Sequence, residues 1–238
     1  MTSVSTDRIG ALAAWDTPAL SNALDSLRLR DPGTGHTDGS IHRITGPGGP
    51  SAPAPGAAAA PPMVGRVVTA RMAAREAGED GVPVSRLHRA ITESEGPVVV
   101  VLQDCDEPPG AGAFLGEVNG SLLAALGVGG VVTDGRVRDI GELRGLPYPV
   151  YARGLCVARA HMRLIEVGGE ATVAGLTVRP GDLVHGDEHG VLHIPDAALP
   201  GILDKAELIR ADEEELVAWS RSAEFSVDAL LALRRVRH

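Results

Sequence analysis

Two short segments of this chain carry residue types that could do chemistry together. Asp134-Gly135-Arg136-Val137-Arg138-Asp139 follows an apolar run and places four charged side chains within six residues. Taken alone, the Arg138-Asp139 neighbour pair is most simply a surface ion pair. Gly116-Glu117-Val118-Asn119 opens a helical pattern. A glycine followed by free backbone N–H groups at a helix start is a ready receptor for a carboxylate. The plainer reading there is a glycine-containing loop in which Glu117 stabilises the helix dipole.

The elements that must position these segments decide between the readings. Pro97-Val98-Val99-Val100-Val101-Leu102 and Gly130-Val131-Val132-Thr133 read as short buried strands. Between them Val118, Leu122, Leu123 and Leu126 fall on one helical face, and Gly127 stops the helix. Strand, helix, strand at this spacing predicts a right-handed βαβ unit with parallel strands. The loops 104–116 and 134–139 then leave from the carboxyl ends of their strands, the edge where open α/β sheets bind ligands. Glu117 and Arg138 become neighbours despite their separation in sequence.

Elsewhere, Thr17 as N-cap with Pro18 opens a helix whose apolar face is Ala19, Leu20, Ala23, Leu24 and Leu27. Met63 to Ala70 has strand character, and Leu183 to His185 and Val191 to Ile194 are strands flanking a turn. A C-terminal helix is expected from about Ala197 to Trp219, with an acidic run at Asp212 to Glu215. The whole chain, 1–238, reads as one α/β domain with a mobile Pro/Ala/Gly-rich insertion around 46–62 and a helical extension over 197–238.

Composition removes several classes of function. A formal charge of -9 argues against a general grip on nucleic acid, which needs clustered Lys and Arg. The N-terminus has no secretory pattern and no run reaches membrane-spanning length, so a soluble, cytoplasmic protein is expected, with no membrane partner. Cys105 and Cys156 cannot form a disulfide framework and are read as buried thiols in a reducing compartment. With only 3% aromatic residues, Ala, Val, Leu and Gly must fill the interior. His185, His189 and His193 alternate around a turn and are read as turn and strand histidines rather than a metal site. No HExxH motif and no nucleophile elbow is present. Gly127 to Gly130 enters a strand, not a helix, and so is not a nucleotide loop.

Together, Gly116-Glu117 and Gly127-Val128-Gly129-Gly130-Val131-Val132-Thr133-Asp134-Gly135-Arg136-Val137-Arg138-Asp139 resemble the RraA-like family, which includes 4-hydroxy-4-methyl-2-oxoglutarate aldolases and ribonuclease E regulators. Gly65 with Thr69, the stretch Val178 to Val191, and Ile194-Pro195 extend the resemblance over most of the chain. It implies a β/β/α sandwich of the swivelling-domain type, assembled as a homotrimer or homohexamer with sites between subunits. It also implies a Mg2+ or Mn2+ ion held by Asp139, with Arg138 binding the pyruvyl group of a 2-keto acid. Glu117 would support metal-bound water, the amides at Val118 and Asn119 beside Gly116 would hold the substrate carboxylate, and Glu213 would reach in from a neighbouring subunit.

The physics of a 2-keto acid lyase suits that assignment. Retro-aldol cleavage or decarboxylation needs an electron sink for a developing enolate, and a hard cation supplies it. Magnesium asks for only one or two carboxylates, so a sparse site is expected. Arg138 would add a charge-assisted clamp on the same charge. The competing sink is a lysine Schiff base, and the one lysine, Lys205, lies in the C-terminal helix. The alternatives are a non-catalytic regulatory binding protein and a metal-dependent sugar-acid dehydratase. Where the aldolase-type loop has Gly-Asp-Leu-Leu, this chain has Gly116-Glu117-Val118-Asn119, a longer acid and a polar neighbour that reshape the pocket.

Overall fold

Apolar alternation along a few β-branched runs builds three layers. The computed structural model describes residues 6–45 and 61–236, and residues 46–60 of the expected insertion lie outside them. In chain order come α1 (Thr6–Ala11), α2 (Thr17–Leu27), β1 (His42–Thr45), β2 (Met63–Ala73), α3 (Ser85–Thr92), β3 (Val98–Asp104), α4 (Glu117–Ala125) and β4 (Val128–Thr133). They are followed by β5 (Arg136–Val137), α5 (Ile140–Leu143), β6 (Val150–Ala152), β7 (Gly154–Leu155), β8 (Arg163–Val167), β9 (Ala171–Val173) and β10 (Leu176–Val178). β11 (Leu183–Asp187), β12 (Gly190–Ile194), α6 (Ile202–Ser220) and α7 (Val227–Val236) close the chain.

The main sheet runs β1-β6-β4-β3-β2-β11-β12, with β8 also paired to β2. Its centre is parallel, from β2 through β3 and β4 to β6, and its flanks are antiparallel. Successive side chains point to opposite faces. Val98, Val100 and Leu102 therefore pack with Leu87 and Ile91 of α3, Leu123 of α4 and Leu143 of α5. Val99, Val101 and Val132 meet Ala171, Val173, Leu176 and Val178 of the β9-β10 hairpin. Helices, sheet and small sheet form the β/β/α sandwich expected from the sequence. A third cluster joins α2 and α6 to β11 and β12. Gly65 is required at the sheet, because a Cβ there would lie 2.7 Å from the Pro97 carbonyl oxygen.

The structure corrects four local expectations. The cap of α2 is Asp16, whose Oδ1 accepts the Ala19 amide at 2.7 Å. Thr17 is buried instead, donating its amide to Asp187 at 2.7 Å with its hydroxyl 3.0 Å from His185 Nδ1. On α4 the buried residues are Gly120 and Leu123, while Val118 and Leu122 are 69% and 45% exposed. The cause is Gly120: without a side chain it admits Leu143 and Leu146, and its carbonyl accepts the Tyr148 hydroxyl at 2.9 Å.

The C-terminal helix begins at Ile202 rather than Ala197. Pro200 has no amide to continue the ladder, so Asp196–Ala198 closes as a 3-10 turn with Leu199 N–H on the Asp196 carbonyl. Cys105 and Cys156 are free and half-buried, not fully buried, because both sit in loops at the rim of the sheet. His185 and His193 lie in strands and His189 in the turn between them, as expected.

Candidate active site

The parallel register of β3 and β4 sets Leu102 beside Thr133, so the loops 105–116 and 134–139 leave from one edge. They are tied together: the Arg138 amide donates to the Leu115 carbonyl at 3.1 Å. Asp139 follows in the left-handed region at φ 54. A non-glycine residue held there marks a position the surrounding structure over-determines. Its Oδ2 accepts the Glu117 amide at 3.0 Å and lies 3.5 Å from Arg138 Nε. A Cβ on Gly116 would fall 2.5 Å from that same oxygen, which explains the glycine.

Of the residues singled out from sequence, Gly116, Val118, Asn119 and Arg138 line one cleft of about 240 Å³. Its wall is completed by Val84, Phe114 and Met162, and by Arg159. The amides of Val118 and Asn119 are in the first turn of α4, where no intrahelical acceptor exists. The Glu117 amide is already taken by Asp139. The Asn119 side chain points back to the loop, donating to the Phe114 carbonyl at 2.7 Å, so this polar departure braces the loop. Neither Asp139 nor Glu117 is among the cleft-lining residues; Asp139 is half-buried and the Glu117 side chain is exposed. Glu213 lies on the exposed acidic run of α6, is not among the cleft residues, and is not brought to Arg138 and Asp139 within one chain. Lys205 is on the same helix, also away from the cleft.

Sequence reasoning missed a group of buried carboxylates beneath the two loops. Asp104, Asp106 and Asp134 are all buried. Asp104 accepts the amides of Asp106 at 3.0 Å and Gly110 at 2.6 Å, and Asp134 accepts the Asp104 amide at 2.8 Å. Asp106 accepts the amides of Ala74 and Arg75, each at 2.9 Å. Burial, with the neighbouring Asp104 charge adding to it, pushes Asp134 up to about 6, and burial also raises Asp104. The signal was present for two of them: Asp104 ends the apolar strand β3 and Asp134 directly follows β4.

A separate group, Asp187, Glu188 and His189, brings three potential ligand atoms within 4.8 Å of one another. Asp187 is nonetheless occupied as the anchor of the β11-β12 turn, accepting the Thr17 amide at 2.7 Å and the His189 amide at 2.9 Å. Burial opposes its ionisation, but these two amides, together with the Thr17 side chain and the His189 ring, outweigh it and hold the carboxyl below the usual range. Burial in turn keeps the neighbouring His185 low.

A three-layer sandwich whose parallel edge joins an Arg-Asp pair to a glycine-led helix start defines a class of swivelling-domain proteins. Within it, the chain belongs to the RraA-like family: the Aldolase/RraA model matches residues 40–193. The chain is 33% identical over 124 residues, 51% of its own length and 57% of the relative's, to a Halalkalibacterium halodurans protein named "Putative 4-hydroxy-4-methyl-2-oxoglutarate aldolase". It spans about half the length of the curated relatives it matches. The fold is shared with a crystal structure from Pseudomonas syringae (TM-score 0.69, 21% identity, 100% of this chain and 96% of that one). It is also shared with Streptomyces coelicolor RraAS2, described as an unusual member of the RNase ES inhibitor RraA family (TM-score 0.65, 20% identity, 93% and 98%). Among the described residues no helix is long and apolar enough to cross a membrane.

Proposed function

We propose that this protein is a divalent-metal-dependent lyase that cleaves a 2-keto acid, by retro-aldol release of pyruvate or by decarboxylation of an oxaloacetate-like acid. The observation that carries this reading is the arrangement of Asp139. One carboxylate oxygen is committed to the Glu117 amide and to Arg138, while Oδ1 has no partner among the described residues. Together with Glu117, whose backbone is bonded to Asp139 and whose side chain is exposed, this oxygen-only donor set suits a hard cation such as Mg2+ or Mn2+, which keeps several waters and needs few carboxylates. When bound, that ion supplies positive charge for the enolate developing on the substrate.

The chain's own residues do the rest. Arg138 clamps the pyruvyl oxygens through a charge-assisted contact. The first-turn amides of Val118 and Asn119 bind the substrate carboxylate beside Gly116. Glu117, exposed at the start of α4, would move the proton. The exposed apolar side chains Val118 and Leu122 on α4 and Val157 at 96% exposure support a homotrimer or homohexamer in which Glu213 of α6 completes a shared site.

The test is pyruvate or carbon dioxide release from a panel of 2-keto acids with Mg2+ or Mn2+, comparing the parent with Arg138→Ala and Asp139→Ala. Both variants should lose turnover by a hundredfold or more, on the order expected for loss of a preorganised charge-stabilising group. A parent inert on every substrate, or activity that survives both substitutions, leaves the regulatory binding-protein reading in its place.

A further inference from the structure

We infer that His185, Thr17 and Asp187 form an acid-sensitive clasp, which holds the helical segment α1–α2 on β11 while the imidazole is neutral and releases it when the ring takes up a proton. Successive side chains of a strand point to opposite faces, so Leu183, His185 and Asp187 of β11 share one face. Each engages the segment that precedes β1. Leu183 packs with Leu12, Leu20 and Leu24. The Asp187 Oδ2 accepts the Thr17 amide at 2.7 Å, and His185 Nδ1 lies 3.0 Å from the Thr17 hydroxyl oxygen. Thr17, at the start of α2, is therefore held by backbone and side chain at once.

The clasp is dry. His185 is 0% exposed, its partners on the neighbouring strands are Val64 and Leu192, and its Nε2 makes no hydrogen bond of normal length. A neutral imidazole tolerates this setting, whereas an imidazolium has two donors to satisfy and a charge to solvate. Burial holds the ring below its ordinary value, outweighing Asp187, Asp16 and the carbonyls of Leu12 and Trp15, all of which favour the proton. A ring exposed by the lifting of α1–α2 recovers water and the ordinary value of about 6.5. Because the docked value is the lower one, the clasp is at full strength above about pH 6.5 and weakens as pH falls below it, the released fraction rising by up to about tenfold per unit. Asp187, held below the usual carboxyl range despite its burial, stays ionised there and does not open the clasp itself. The same apolar cluster includes Ile202 and Ala206 of α6, and the Arg210 guanidinium of α6 lies 4.5 Å from the centre of the Trp15 ring. Release of α1–α2 thus uncovers the inner face of α6, the helix that carries Glu213.

The experiment is hydrogen–deuterium exchange read by mass spectrometry from about pH 7.5 to about pH 5.5, on the parent and on His185→Asn, which can still bond the Thr17 hydroxyl but cannot take up a proton. Protection of the α2 amides is taken against the intrinsic exchange rate at each pH and set beside that of β3 at the centre of the sheet. In the parent, α2 protection should fall by about tenfold per unit once pH is below about 6, and α2 should open while β3 remains more strongly protected. In His185→Asn the α2 protection should not change with pH. Three results would each overturn the clasp: α2 protection level with pH in the parent, a slope that survives in His185→Asn, or α2 and β3 opening only together. The first and third need no substitution, so the parent alone decides the matter if the variant does not fold. None of these readouts depends on the lyase reaction.

Discussion

The Oδ2 of Asp139 accepts the backbone N–H of Glu117 at 3.0 Å, locking the loop that leaves β4 to the first turn of α4. This contact turns two segments distant in sequence into one rigid surface, with Arg138 held above it at 3.5 Å from the same oxygen. It also takes one of the helix-start amides out of the pool available to a substrate, leaving those of Val118 and Asn119.

Gly116→Ala should damage the site more than the fold. The new Cβ would lie 2.5 Å from Asp139 Oδ2 and 3.0 Å from Arg138 Cγ, so the Asp139-Glu117 contact must open. A loss of about 1–3 kcal/mol in stability is expected from the overpacking. Turnover should fall by a larger factor than that strain implies. Urea unfolding beside steady-state kinetics checks both, and unchanged kcat would show that the lock is dispensable.

The buried acid Asp134 should make stability depend on pH. Its folded-state value is raised from 3.8 to about 6, chiefly by burial, so the folded chain holds the proton more tightly than the unfolded one. The stabilisation is fully present below about pH 4 and is lost as pH rises through about 6. Asp134→Asn keeps an acceptor for the Asp104 amide without the charge. It should flatten this dependence and be more stable than the parent at pH 7.5 by about 2–3 kcal/mol, a shift of roughly two units. Urea midpoints at pH 4.5 and 7.5 measure it, and parallel changes in parent and variant would count against the assignment.

These cases show which parts of the molecule were legible in the sequence. The β3-α4-β4 unit could be read because apolar runs and Gly127 mark its boundaries locally. That topology placed Arg138, Asp139 and Gly116 at one edge, while the roles proposed for them came from the family resemblance. The buried face of α4 could not be read, because it depends on Leu143 and Leu146 entering over Gly120, contacts made by residues beyond the helix. The Asp104-Asp134 contact likewise requires the inter-strand register. Arg159 joins the cleft only through a segment tied to Val137, Ala113 and Ala74, which no local pattern announces.

Leu122→Asp tests the proposed assembly. The side chain is 45% exposed in the single chain and should be covered in a trimer. The substitution should shift sedimentation toward monomer and lower turnover with it, because Glu213 would then no longer reach a neighbour's cleft. A monomeric variant that keeps full activity would remove Glu213 from the site.

Metal placement is the most direct test of the account. Mn2+ binding can be followed by electron paramagnetic resonance, with oxaloacetate turnover measured on the same samples of the parent, Asp139→Ala and Asp187→Asn. The account predicts one tightly bound ion per chain in the parent and in Asp187→Asn, and loss of both the ion and turnover in Asp139→Ala. Binding that survives in Asp139→Ala and disappears in Asp187→Asn would contradict it, moving the metal to the turn formed by Asp187, Glu188 and His189.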